Sequence, residues 1–320
     1  MILPTNFDSG AGYDLRVQHS PNASPRPPVP FIVGMGRSGT TLLRMMLDAH
    51  STLAIPPETY FFRGAESSFE KRGAEGLVEE MIQSPAWPDF GLSASDFEQR
   101  VAQRRPAAAA EVLRDFYELY AERQDKHRWG DKTPLYVMHM VEIQRQIPEA
   151  HFIHIVRDGR DVALSIMPLW FGDSQVAEVA KRWSRRLSTA RRQAPQLSSY
   201  KEVRFEDLIR EPSSVLKSLC SFLDLDWEVS MLDYHREAAQ RLATETPDFR
   251  WRNHLVPHEE RKKMHEFLGH PPTKERCERW RREMSAVDLE EFESVAEDTL
   301  AEFGYASSRP IRSSRPSATT

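Results

Sequence analysis

The run Val33-Gly34-Met35-Gly36-Arg37-Ser38-Gly39-Thr40-Thr41 packs three glycines, three hydroxyls and a cation into nine positions. Such a run can hold a tetrahedral anion. Glycines let backbone N–H groups converge, and a helix starting near Ser38 adds the positive end of its dipole and several unpaired donors. Gly34, Gly39 and Thr41 fit the phosphate-loop spacing G-x-x-x-x-G-K-S/T, but Thr40 stands where the lysine belongs. Arg37 can replace that charge, because a guanidinium offers a donor fork to tetrahedral oxygens. An ATP or GTP enzyme usually keeps the lysine and a carboxylate-held Mg²⁺. The loop therefore reads as a site for a phosphate-like group; the bland alternative is a glycine-rich turn that binds nothing.

Positioning this loop requires a strand before it and a helix after it. PFIVGMG supplies a short apolar run, and TLLRMMLDAH places Leu42, Leu43, Met46 and Leu47 at helical spacing. HFIHIVRDGRDVALSIMPLW repeats the plan, with a strand over 151–156, a turn at 157–159 and a helix from Arg160. Further strands are expected over 201–205 and 53–55. Strands alternating with helices predict an α/β fold, a parallel sheet of the P-loop kind with helices on both faces, and both loops opening on the rim at the strands' carboxyl ends. Residues 65–125 read as an inserted helical cover, from amphipathic runs such as ASDFEQRVAQRR. Ser285 and Asp288 form a capping pair for a last helix that Gly304 closes.

The chain has 320 residues, 40% of them hydrophobic, enough for one main domain over 29–305 between polar tails at 1–28 and 306–320. With 43 basic and 48 acidic residues, the net charge of -5 argues against nucleic acid or an anionic membrane as the main partner. Neither a signal peptide nor a membrane span is visible. Cys220 and Cys277 alone make no disulfide framework, so a cytoplasmic setting is expected.

GMGRSGTTLLRMMLDAH resembles the 5′-phosphosulfate loop of sulfotransferases that use 3′-phosphoadenosine 5′-phosphosulfate (PAPS), especially the branch similar to tyrosylprotein sulfotransferases and related bacterial enzymes. Gly36 departs from the proline common there. The resemblance runs from about residue 30 to 305 and is weak between 65 and 125. It implies that Gly36, Arg37, Ser38, Gly39, Thr40 and Thr41 cradle the 5′-phosphate. It also implies that Arg157 and Ser165 bind the 3′-phosphate, which is physically sensible because an arginine at a strand end and a serine on the next helix can close around one dianion. The alternative is a surface ion pair between Arg157 and Asp158, worth about 0–1 kcal/mol. Arg160 can simply cover the helix. The segment VRFEDL, residues 203–208, looks like the family's V-R-Y-E-D-L with Phe205 for tyrosine, and reads as scaffold. Where the family has S-V-G-K/R-W, this chain has Arg276-Cys277-Glu278-Arg279-Trp280, in which Arg279 and Trp280 fit but the serine and glycine do not.

Sulfuryl transfer needs a base for the acceptor and cations where charge builds on the transferred oxygens; it needs no metal. Glu58 in AIPPETYFF is the preferred base, since Pro56 and Pro57 fix a loop aimed at the same rim, and the resemblance agrees. A cap or surface carboxylate is the alternative. In WGDKTP, Lys132 resembles the family lysine that approaches the sulfate, beside Arg37; a turn before a helix started by Pro134 is compatible with that role. His50 reads as a cap or packing residue. His151 and His154 fall on opposite strand faces, and no zinc spacing is present. The basic run over 181–192 reads first as a solvated helix face, with a role in holding an acidic acceptor as the alternative.

The expected function is thus transfer of a sulfuryl group from PAPS, leaving adenosine 3′,5′-bisphosphate (PAP), to a hydroxyl or amine. A phosphotransferase of the P-loop kinase kind and a noncatalytic nucleotide-binding protein are the alternatives. The expected acceptor is a small-molecule alcohol or phenol. Phe61, Phe62, Trp87, Phe90, Trp170 and Phe171 can line its pocket or equally form core.

Overall fold

The structure is a computed structural model and describes residues 26–169, 175–245, 248–251, 254–263, 265–306 and 308. Strand β1 (Val29–Gly34) runs into the glycine loop, and α1 (Thr40–Asp48) follows. β2 (Leu53–Ala54) leads to the Glu58 loop; then come α2 (Ala65–Ile82), α3 (Ala94–Arg104) and α4 (Ala109–Arg123). β3 (Arg128–Trp129) and β4 (Asp131–Lys132) flank Gly130. After α5 (Met140–Gln146) the chain forms β5 (Ala150–Val156), α6 (Gly159–Ile166), α7 (Val176–Gln193) and β6 (Tyr200–Arg204). Helices α8 (Phe205–Arg210), α9 (Pro212–Leu223) and α10 (His235–Glu245) precede the hairpin of β7 (Phe249–Trp251) and β8 (His254–Val256). The chain continues through α11 (His258–Lys263) and α12 (Trp280–Glu283) to α13 (Ala286–Glu302).

The central sheet has the order β4-β1-β5-β6, parallel throughout. Alternation along the strands sorts side chains onto two buried faces: Phe31, Val33 and Phe152 pack with the inserted helices, while Ile32, Ile153 and Ile155 pack with α1, α8 and α9. Burial on both sides explains why these strands read as continuous apolar runs. The strand expected over 53–55 is short and pairs with β3 rather than β1. Gly130 carries the pairing across: its N–H donates to the Ala54 carbonyl at 2.9 Å, and a Cβ there would lie 2.6 Å from the Pro30 ring. Four loops consequently leave the sheets at their carboxyl ends, after β1, β2, β4 and β5.

The helices of 65–123 form a cover whose core is continuous with the sheet. Phe61, Phe62, Trp87 and Phe90 belong to that core, each at most 8% exposed, with Phe61 edge-on to Phe116 at 5.1 Å. The core alternative therefore holds for these four, while Trp170 and Phe171 lie outside the described residues. So do the tail segments 1–25 and 309–320. At the other end, the Ser285 hydroxyl accepts from the Asp288 N–H at 3.1 Å, and α13 lays Phe292, Ala296 and Leu300 against Trp183 and Leu187 of α7. Arg160 ties the two layers together. It is 1% exposed, binds Asp158 at 2.8 Å and Glu293 at 2.6 Å, and sits 3.6 Å from the Trp280 ring centroid.

Candidate active site

The loop after β1 has the geometry of an anion cradle. Gly39 caps α1 at φ 96° with no side-chain hydrogen bond, so the first N–H groups of the helix stay available. A Cβ at Gly39 would lie 2.4 Å from the Phe205 ring, and one at Gly34 would lie 2.6 Å from the Ile155 carbonyl oxygen, so both positions demand glycine. Arg37 adopts φ 70°, a left-handed conformation costing about 1–3 kcal/mol and typical of functional loops. The Ser38 hydroxyl is buried without a hydrogen-bond partner, an orphan that a bound anion would satisfy.

Arg157 stands next to this loop. Its guanidinium donates to the Arg37 carbonyl at 3.1 Å and the Arg276 carbonyl at 2.7 Å, and lies 4.3 Å from the Phe205 ring centroid. The alternative pairing with Asp158 does not form: Asp158 binds Arg160, whereas Arg157 faces Asp161 at 3.6 Å. Ser165 lies along α6 with its hydroxyl donating to the Asp161 carbonyl at 3.0 Å. Arg276 is the third cation of the group. Burial first, then the charges of Arg157 and Arg276, push the Arg37 guanidinium down to about 10, against the opposing charge of Glu58. A cavity of about 410 Å³ opens beside them, lined by Leu42, Ile209, Tyr234, Phe267 and Arg276 among others. A neighbouring depression of about 400 Å³ is lined by Arg276, Arg279 and Arg282 with Glu275 and Glu283.

Glu58 and Lys132 meet at the same rim. Lys132 Nζ donates to Glu58 Oε1 at 2.8 Å; the lysine side chain is 5% exposed, the glutamate 34%. The glutamate is thus reachable from outside while its partner is enclosed. Burial raises the Glu58 carboxyl, but the Lys132 charge, its hydrogen bond and a hydrogen bond from the Tyr60 hydroxyl outweigh this and hold it below its ordinary value. The loop is pinned from α1: Arg44 Nε donates to the Ile55 carbonyl at 2.8 Å, and Asp48 accepts from the Ile55 N–H at 2.6 Å.

Several neighbours escaped the sequence. Tyr60, in the left-handed region at φ 57°, joins Glu58 only because of that turn. Arg276 arrives from far along the chain, from the segment that stands where the family has S-V-G-K/R-W; its side chain as a third cation was not read from the sequence. His265 lies where burial, Arg37 and Lys132 hold its imidazole well below the ordinary value. The basic run of α7 is largely the solvated face expected, with Trp183 and Leu187 buried, except that Arg186 turns inward to within 3.3 Å of Met35 Sδ. His50 is a packing residue, its Nε2 against the Asp226 carbonyl at 2.9 Å.

Residues 28–229 match the Sulfotransferase family. The chain belongs to that family. Protein-tyrosine sulfotransferase 1 of Danio rerio is 25% identical over 226 residues, 66% of this chain and 56% of that protein. Nodulation protein NoeE of Sinorhizobium fredii is 29% identical over 151 residues, 47% and 34% of the respective chains. The match thus spans about half the length of the first relative and a third of the second. Among solved structures, the sulfotransferase domain from the curacin biosynthetic pathway aligns with TM-score 0.58 at 20% identity, covering 88% of this chain and 99% of that one. The sulfotransferase domain of the Synechococcus PCC 7002 olefin synthase gives 0.56 at 23%, covering 90% and 98%. These likenesses establish the fold, which is the expected P-loop-like α/β architecture. Among the described residues of this sulfotransferase-family chain, no helix is long and apolar enough to cross a membrane, and no group of three His, Cys, Asp or Glu side chains could hold a metal ion.

Proposed function

We propose that this protein transfers a sulfuryl group from PAPS to a hydroxyl acceptor, with Glu58 as general base. The observation that carries the reading is the Glu58–Lys132 contact on the rim where Arg37, Arg157 and Arg276 converge. The residues present fit the donor. The buried, unpartnered Ser38 hydroxyl and the uncapped start of α1 suit its 5′-phosphate, with Gly36, Gly39, Thr40 and Thr41 completing the loop. Arg157 and Ser165, with Arg276, suit its 3′-phosphate, and the apolar walls of the 410 Å³ cavity suit a purine. When bound, PAPS supplies the sulfuryl group that the acceptor oxygen receives by in-line displacement, leaving PAP.

The chain's own residues do the rest. Glu58, ionised at neutral pH and partly exposed, takes the acceptor's proton. Lys132 and Arg37 present fixed positive charge toward the transferred oxygens and the leaving phosphate, a role worth about 3–4 kcal/mol per donor in comparable sites. If Lys132 exchanges Glu58 for those oxygens, Glu58 loses its main stabilising charge and becomes a stronger base when a proton must be taken. Lysine at position 40 would favour a phosphotransferase; Thr40 opposes it. We further propose a small-molecule alcohol or phenol as acceptor and a cytoplasmic location, the latter consistent with Cys220 and Cys277 being free and buried.

The test incubates the protein with ³⁵S-labelled PAPS and a panel of aliphatic alcohols, phenols and a tyrosine peptide. Labelled product that disappears in Glu58→Gln supports the reading. Undiminished transfer in that variant removes Glu58 as the base.

A further inference from the structure

The base and the electrophilic lysine are each next in sequence to a member of one buried polar cluster. Thr59 follows Glu58 and is 0% exposed; Asp131 precedes Lys132 and is also 0% exposed. The Thr59 hydroxyl donates to Asp131 Oδ2 at 2.8 Å. The same carboxylate oxygen accepts from the Tyr117 hydroxyl at 2.8 Å and the Thr133 hydroxyl at 3.4 Å. Tyr136 lies 3.2 Å from the Thr59 hydroxyl and accepts the Phe62 N–H at 3.1 Å, while the Thr59 N–H donates to Thr133 at 3.1 Å. All these groups are enclosed by rings, with Tyr117 stacked on Trp129 at 4.5 Å.

Strand geometry makes the arrangement directional. β4 pairs Asp131 with Phe31 and Lys132 with Ile32, so the aspartate faces the cover and the lysine the opposite side. An ionisable group buried among aromatic rings is costly, and a cover built only for stability would be better served by apolar residues there. Asp131 Oδ1 is buried with no hydrogen-bond partner, so the carboxylate is not fully compensated where it lies. What its other oxygen does is hold the Thr59 side chain against β4, while the Thr59 N–H is held by Thr133.

We propose that Asp131, with Thr59 and Tyr117, is a positioning assembly that fixes the separation of Glu58 from Lys132, and that the helical cover acts on the chemistry through Tyr117. The proposal rests on the reading of Glu58 and Lys132 as base and electrophile. Thr59 ties down the Glu58 loop, Asp131 sets the register of Lys132, and Tyr117 brings α4 into the same cluster. Loosening the cluster frees Glu58 from Lys132 without removing either residue.

The test is a ¹³C-carboxyl NMR titration of the full chain labelled at glutamate, the Glu58 signal being assigned by its loss in Glu58→Gln. The charged groups facing Glu58 are Lys132, Arg186 and Arg37, with the Tyr60 hydroxyl, and all remain in Thr59→Val, Thr59→Ser and Tyr117→Phe. Glu58 is expected to titrate below its ordinary value in the wild type and in Thr59→Ser, and to rise by about one unit in Thr59→Val and Tyr117→Phe. A merely structural cluster would lower the thermal midpoint of these variants and leave the Glu58 titration unmoved, which overturns the proposal. Should Thr59→Val not fold, Tyr117→Phe decides alone, since it keeps the ring. Undiminished transfer by Glu58→Gln would sink the functional reading, whereas an unmoved Glu58 titration sinks only the positioning role.

Discussion

Lys132 Nζ and Glu58 Oε1 lie 2.8 Å apart although 74 positions separate them, Glu58 standing in the loop after β2 and Lys132 at the end of β4. The pair favours the ionised form of Glu58 and keeps a cation at the rim. Replacing Lys132 with methionine, which preserves length and removes charge, is expected to lower kcat by about 10²–10³ while changing affinity for PAP much less. Steady-state kinetics beside calorimetry checks this; equal losses in both would make Lys132 a binding residue only.

Asp131 gives a pH prediction. Burial raises its carboxyl from 3.8 to about 6, partly opposed by hydrogen bonds from Tyr117, Thr59 and Thr133. A group whose folded value is raised contributes stability that is fully present below its unfolded value and lost as pH rises through the folded one. Wild-type stability should therefore fall between about pH 4 and pH 6 relative to Asp131→Asn, by roughly 3 kcal/mol for a two-unit shift. Denaturant titrations of both proteins at pH 4 and 7 measure it.

Arg160 is predicted to be structural. Arg160→Leu leaves Asp158 and Glu293 buried without their cation, at a cost of about 3–5 kcal/mol. The thermal midpoint reads the loss, and a change under 1 kcal/mol would contradict the account.

Gly39→Ala combines a left-handed backbone with a Cβ 2.4 Å from the Phe205 ring. Strain of about 1–3 kcal/mol should deform the cradle and weaken PAP binding by about tenfold or more. Unchanged affinity would mean that the loop does not hold the phosphate.

The cradle and the parallel sheet were legible because they rest on local rules: glycine at forced backbone positions, apolar runs for doubly buried strands, hydroxyls at a helix start. The place of Glu58 on the rim was legible from Pro56 and Pro57. Tyr60, Arg276 and the Thr59–Asp131–Tyr117 cluster were not, because each depends on chain crossings that no local pattern encodes. The strand expected over 201–205 is β6, which ends at Arg204, because Phe205 starts α8 and lies beneath Arg157. Phe61 and Trp87 show the opposite limit, since aromatic composition alone does not separate a pocket wall from a core.

The central claim is that the arginine-bearing rim recognises a 3′-phosphorylated adenosine nucleotide. Metal-free calorimetry with PAP, ADP and ATP, on the wild type and Arg157→Ala, tests it most directly. The account predicts preference for PAP and its loss in the variant. ATP binding as tight as PAP, with Arg157 irrelevant, would contradict it.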